Sequence, residues 1–222
     1  MYCVSYSDGK QRNKMTEPSQ KQPAVYELRH YILVAVLALA VIGFGIRFLI
    51  DVNHEFLIYV VVVVAGAIVV ALSHCKVRYP FTCLVGLTVW AVLHLAGGGV
   101  KINGDVLYAL ILIPISEMYS ILRYDQVVHA WGFGTGTLVM YALLANLVSP
   151  NDTRKFSFAL LVVLAGAGLG AFNENIEFLL TVTLPQTGVG GYINTSLDLC
   201  ANLFGAIVAV LLVRFRVISM SR

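Results

Sequence analysis

The chain has 222 residues, 59% of them apolar and only 12% charged, with a net charge of +3 and a strongly positive mean hydropathy. That composition excludes an ordinary soluble domain, and no polar stretch is long enough to fold on a core of its own. The positive charge gathers at the ends and loops without interleaved aromatics, so the lipid bilayer, and no nucleic acid, is the expected partner.

Residues 1–29 carry Lys10, Arg12, Lys14, Lys21 and Arg29 among Ser, Gln, Asn, Glu and Pro. Such a mixture buries little surface and reads as a mobile basic tail. No small-residue cleavage site follows the first apolar run, so that run is expected to stay as a helix. A single transmembrane domain is expected over 30–216, followed by a short tail at 217–222. Cys3, Cys75, Cys83 and Cys200 form no CxxC pair and no regular framework, and read as small apolar residues.

Apolar runs near the roughly 20 residues of a spanning helix predict spans over 30–50, 56–73 and 81–96, the last ended by Gly97, Gly98 and Gly99. Further spans are predicted over 126–148, 156–183 and 194–213. Between them, 105–122 has an apolar core of about ten residues with Pro114 near its end, a length that suits a re-entrant or interfacial piece. If this piece spans, seven helices place eight Lys/Arg on the N-terminal side and seven opposite; if it does not, six helices place twelve against Arg47, Lys101 and Arg123. The positive-inside rule favours the second. The expected fold is therefore an all-α polytopic transmembrane helix bundle of six spans plus one short re-entrant or interfacial helix, in the cytoplasmic (inner) membrane with both termini cytoplasmic; seven spans is the alternative.

Three of these spans carry polar stripes. Asp125 and His129 stand four apart, continued by Gly132 and Gly136, and so share a helix face. On the next span Glu174 and Glu177 follow Gly166 and Gly170, with Asn173 four residues before Glu177. On the last, Asn194, Asp198 and Asn202 again repeat every four towards Gly205. Small residues beside polar ones suit close helix packing. The topology adds His94 at the same level. Four carboxylates in a low-dielectric pocket cannot all stay ionised without counter-charge, so protons or a cation must neutralise them. His129, Glu174, Glu177 and Asp198 are the candidate metal ligands, with His94, Asp125, Asn173, Asn194 and Asn202 as supporting polar groups. Histidine with carboxylates suits Zn, Mn or Fe, and carboxylates with amide oxygens suit Ca or Mg, so the cation's identity stays open. Each part also has a plainer reading: His94 as an interfacial histidine, Asp125 and Asn194 as helix caps, and the acids as polar glue between helices.

The runs RYDQVVHAWGFG (123–134), ENIEF (174–178) and NTSLDLCANLFGA (194–206) resemble the YjdF-like family of uncharacterised inner-membrane proteins, and are more distantly similar to VanZ-like proteins. The resemblance covers about 90–213 and implies a site at Asp125, His129, Glu174, Glu177, Asp198 and Asn202 without implying a reaction. The expected function is an intramembrane site for a divalent cation, a polar small molecule or a lipid headgroup. The competing expectations are a metal-dependent enzyme acting on lipid or lipid-linked substrates, and a proton- or cation-coupled transporter. HExxH, GxSxG and phosphate-loop motifs are absent, so no catalytic residue is assigned.

Overall fold

In the computed structural model, residues 25–116, 118–119 and 121–220 are described. Most of the basic tail expected over 1–29, Cys3, and the last two residues of the short C-terminal tail lie outside the described residues.

Six helices long and apolar enough to cross a membrane form the bundle: α1 (Leu28–Ile50), α2 (His54–Val77), α3 (Phe81–Gly99), α4 (Tyr124–Ala145), α5 (Phe156–Thr183) and α6 (Tyr192–Arg214). Helices are the form in which each apolar segment can satisfy its own backbone inside lipid. Local chemistry sets the ends. Asn53 caps α2, its side-chain oxygen accepting from Phe56 N–H at 3.1 Å, Arg78 ends α2 in the left-handed conformation, and Pro80 precedes α3. α5 runs unbroken for 28 residues, about 42 Å at 1.5 Å per residue, more than the hydrocarbon thickness.

The third span does not stop at Ala96. Gly97, Gly98 and Gly99 continue α3, because each opens a slot for a ring: Tyr108 lies against Gly97, Phe56 against Gly98 and Phe44 against Gly99. Between α3 and α4 the chain does not cross. It makes a two-stranded hairpin, β1 (Lys101–Ile102) with β2 (Asp105–Val106), about an Asn103-Gly104 turn. Both turn residues have positive φ, 54° and 96°, as a type I′ hairpin turn requires. A single 3₁₀ turn, Leu107–Ala109, follows. The remainder doubles back on itself, with Leu112 N–H donating to Leu122 O at 2.9 Å and Tyr124 N–H to Leu110 O at 2.8 Å. Among the described residues there is no seventh helix of spanning length.

α4 is the central helix, packed on α3, α5 and α6, with its broadest contact to α6. α1 touches α2 and α3 and otherwise turns apolar side chains such as Leu39 and Leu49 outward to lipid. Small residues make the α4–α6 approach possible: Gly134 faces the Gly205 carbonyl, and a Cβ at Gly205 would run into the Ala130 carbonyl of α4. Cys75 is disulfide-bonded, against the reading of all four cysteines as small apolar residues, whereas Cys83 and Cys200 are free.

Because backbone cannot move aside as a side chain can, Gly205→Ala is expected to force α4 and α6 apart at a cost of about 1–3 kcal/mol. Gly168→Ala, which meets nothing within 4 Å, is the control. Thermal unfolding in detergent should show a lower Tm for the first and no loss for the second.

Candidate functional site

α4 and α6 begin, and α3 and α5 end, at the face of the bundle opposite the described chain ends. Glu177 and Glu174 lie six and nine residues before the end of α5, roughly 9 and 14 Å in along its axis. Asp125 and His129 fall in the first two turns of α4, and Asp198 in the second turn of α6.

His129 is where the three helices meet. Its side chain is buried, and its two ring nitrogens face different pairs of oxygens. Nδ1 is 3.0 Å from Asn202 Oδ1 and 3.4 Å from Glu174 Oε1. Nε2 is 3.5 Å from Asp125 Oδ1 and 3.9 Å from Glu177 Oε1. Neutral imidazole can donate from only one nitrogen, whereas the protonated ring donates from both. Asn202 reaches this position because Gly170 leaves space where a Cβ would collide with its side chain. The α5 strip therefore admits a polar side chain from α6.

Around this centre the acids are unevenly satisfied. Asp198 is fully buried; its oxygens accept from Gln126 Nε2 at 3.1 Å and Asn194 Nδ2 at 2.6 Å. The same Asn194 amide donates to Asp125 Oδ2 at 3.2 Å. Glu177 accepts from Asn173 Nδ2 at 2.8 Å. Glu174 is only 7% exposed, and neither of its carboxylate oxygens accepts a hydrogen bond of good geometry, although the Asn202 and Asn173 amides stand beside it. Groups of ligand atoms within 4.8 Å of one another come from Asp125, His129 and Asp198, and from His129, Glu174 and Glu177. Two ligands about 2.1 Å from a metal at a tetrahedral angle stand about 3.4 Å apart, close to the 3.4 Å from His129 Nδ1 to Glu174 and to the 3.5 Å from Nε2 to Asp125; these lie on opposite ring nitrogens, and one ion can use only one of them.

Of the candidate residues, all four proposed ligands and Asp125, Asn173, Asn194 and Asn202 come together. Asp125 and Asn194 do not cap their helices. Arg123 and Gly191 hold the N-cap positions, and the two side chains instead bond each other across the α4–α6 interface. His94 is buried close by but bonds to none of the acids. Its Nδ1 pairs with Tyr108 OH at 2.6 Å, and its ring stacks on Trp90 at 5.4 Å between centroids and meets Tyr59 edge-on at 5.1 Å. Burial, with the Asp125 and Glu177 carboxylates adding, pushes the Tyr108 phenol well above its usual range. The hydroxyl therefore keeps its proton, and the tautomer of His94 sets which of the two atoms donates.

Three contributors escaped the four-residue periodicity. Gln126 binds Asp198 while its Oε1 accepts from Arg123 N–H at 2.6 Å. Arg123 reaches Asn194 Oδ1 from Nη1 at 3.4 Å, and its buried Nε has no partner. Tyr108 arrives from the loop. Leu122, just before Arg123, has a φ of 62°, an uncommon value for a residue with a side chain.

Four acids thus face one guanidinium and one imidazole. With all four ionised and His129 neutral, as a metal ligand must be, the cluster is three positive charges short of neutral, the charge of one divalent cation with one proton, or of three protons.

The sequence model of a protein family, described as "Predicted membrane protein (DUF2238)", matches residues 29–218. No curated protein and no solved structure matches the chain.

Replacing Gln126 by Leu would leave both Asp198 Oδ1 and Arg123 N–H without a bond. The expected loss is about 1–3 kcal/mol for a buried group stripped of its partner, measured as a lower Tm in detergent, with Val127→Leu on the exposed side of the same turn as the control.

Proposed function

We propose that this chain, which belongs to the DUF2238 family of predicted membrane proteins, binds one divalent cation within its bundle. His129, Glu174, Glu177 and Asp198 are its ligands, Asp125 orients His129 from one turn away or binds directly, and Asn202 fixes the imidazole from α6. The observation that carries this reading is the Glu174 carboxylate, buried, without a hydrogen bond of good geometry and 3.4 Å from His129 Nδ1. A carboxylate in that position costs free energy unless protonated or paired with a positive charge. Mixed nitrogen and oxygen donors fit Zn, Mn or Fe better than Ca. Arg123, with its Nε idle at the edge of the cluster, would hold the negative end of a polar small molecule or lipid headgroup beside the cation.

Motif order supports counting the chain among the YjdF-like proteins; nothing in the family match supports the more distant VanZ-like likeness. Lys76, Arg78, Arg154, Lys155, Arg214 and Arg216 stand at one face and Arg47, Lys101 and Arg123 at the other. That asymmetry supports an inner-membrane protein with cytoplasmic termini, a single transmembrane domain over 30–216 and tails at 1–29 and 217–222.

Elemental analysis of the purified protein tests the cation. The wild type should carry close to one equivalent of a divalent metal, and Glu174→Gln with Glu177→Gln should carry almost none. Equal content near zero in both removes the cation.

A further inference from the structure

The connection between α3 and α4 is built the opposite way to a loop made for water. From Val106 to Leu122 its one charged residue is Glu117, and the five consecutive residues Ile111 to Ile115 are all exposed. Ile111, Leu112, Ile113 and Ile115, together with Met118 and Tyr119, present on the order of 500 Å² of apolar surface, a size at which a patch on a soluble monomer marks a contact site. Ile113 and Ile115 at its centre are 55% and 62% exposed.

While these side chains turn outward, the backbone turns on itself. Its two arms pair, Leu112 N–H donating to Leu122 O at 2.9 Å and Tyr124 N–H to Leu110 O at 2.8 Å, with Ile111 opposite Arg123. At the tip Ser116 Oγ accepts from Met118 N–H at 3.2 Å and from Tyr119 N–H at 3.1 Å. Ile121 N–H donates to Tyr119 O at 2.7 Å, and Pro114 has no N–H to satisfy. Hydrocarbon supplies no hydrogen-bond partner, so a segment that sits in lipid has to close its donors internally. In water the same donors need no such closure.

We infer that Ile111 to Ile115, with Met118 and Tyr119, dock in the lipid leaflet at the face of the bundle opposite the described chain ends. Lipid is the occupant because this surface continues one that lipid already covers. The returning arm enters α4 at Arg123, and Val127 and Trp131, four and eight residues further on and so along the same face, are exposed on the membrane-spanning helix. At its other end the segment leaves the 3₁₀ turn that packs on α3 and α4, so it starts at the level of the helix ends. The paired arms, 110–112 with 122–124, reach about 10 Å at 3.3 Å per residue, which carries the side chains into the headgroup and upper acyl region and no deeper. Tyr119, with an apolar ring and a polar tip, suits that boundary. The docking is independent of any cation at His129.

Spin labels on Ile113→Cys and on Ile115→Cys, each in a Cys200→Ser chain reconstituted in liposomes, report their surroundings through access to oxygen, which dissolves in lipid, and to a water-soluble nickel chelate. Both positions are exposed, so neither label disturbs packing. Asp105→Cys, exposed in β2, is the water reference, and Leu161→Cys, exposed on α5, is the lipid reference. The Cys200→Ser chain alone sets the labelling background. Both loop labels should favour oxygen over the chelate and read roughly 5–10 Å below the headgroup/acyl boundary, the depth of an interfacial segment. Chelate access equal to that at Asp105 places the segment in water and overturns the proposal. Low access to both reagents means cover by protein and also overturns it; spin–spin broadening that disappears on dilution with unlabelled chain then identifies that cover as a second copy.

Discussion

One imidazole answering to oxygens from three helices is the constraint on which the rest of the bundle depends. His129 can be within 4 Å of Asp125, Glu174, Glu177 and Asn202 only if α4, α5 and α6 approach closely at the same level. The approach is set by absent side chains. Gly134 and Gly205 bring two backbones together, and Gly170 yields its space to Asn202. Polar groups in a membrane interior are costly unless partnered, so the glycines and the acids are parts of one design: the first permits the distances that make the second tolerable.

The bundle divides accordingly. α4 to α6 are knit by side-chain bonds between residues some seventy positions apart, such as Gln126 with Asp198 and His129 with Asn202. α1 to α3 are held mainly by rings: Phe48, Phe56, Tyr59 and Leu95 form a buried cluster that Tyr108 and Phe44 join. Beyond those rings α1, α2 and α3 line an apolar cleft of about 290 Å³ that includes Gly66.

Much of this was legible in the sequence. Apolar run length and the Lys/Arg imbalance identified six spans, and the four-residue spacing of Asp125 with His129 and of Asn194, Asp198 and Asn202 put these groups on common faces. Run length failed where glycine has two meanings: Gly97 to Gly99 look like a break but serve as seats for aromatic rings from elsewhere, and such a partner is invisible to local patterning. The Asn103-Gly104 pair carried a hairpin signal that hydropathy passed over. Gln126 and Arg123 were missed because neither repeats at helical spacing with the acids it serves. Gln126 works through one nitrogen and one oxygen on opposite tasks, and Arg123 lies at the edge of its helix. The uneven hydrogen bonding, which sets Glu174 apart from Asp198, depends on geometry that no spacing encodes.

Glu55, buried on α2, accepts from the Gly188 N–H at 2.6 Å across 133 positions of chain. In a protein made from its N-terminus, that glutamate enters the membrane before the loop that receives it has been synthesised. Its carboxylate must wait, protonated or at the water boundary, through the insertion of three more helices. The bundle can close over Glu55 only once the α5–α6 connection has emerged, so the last hairpin to be translated completes the burial of one of the first helices.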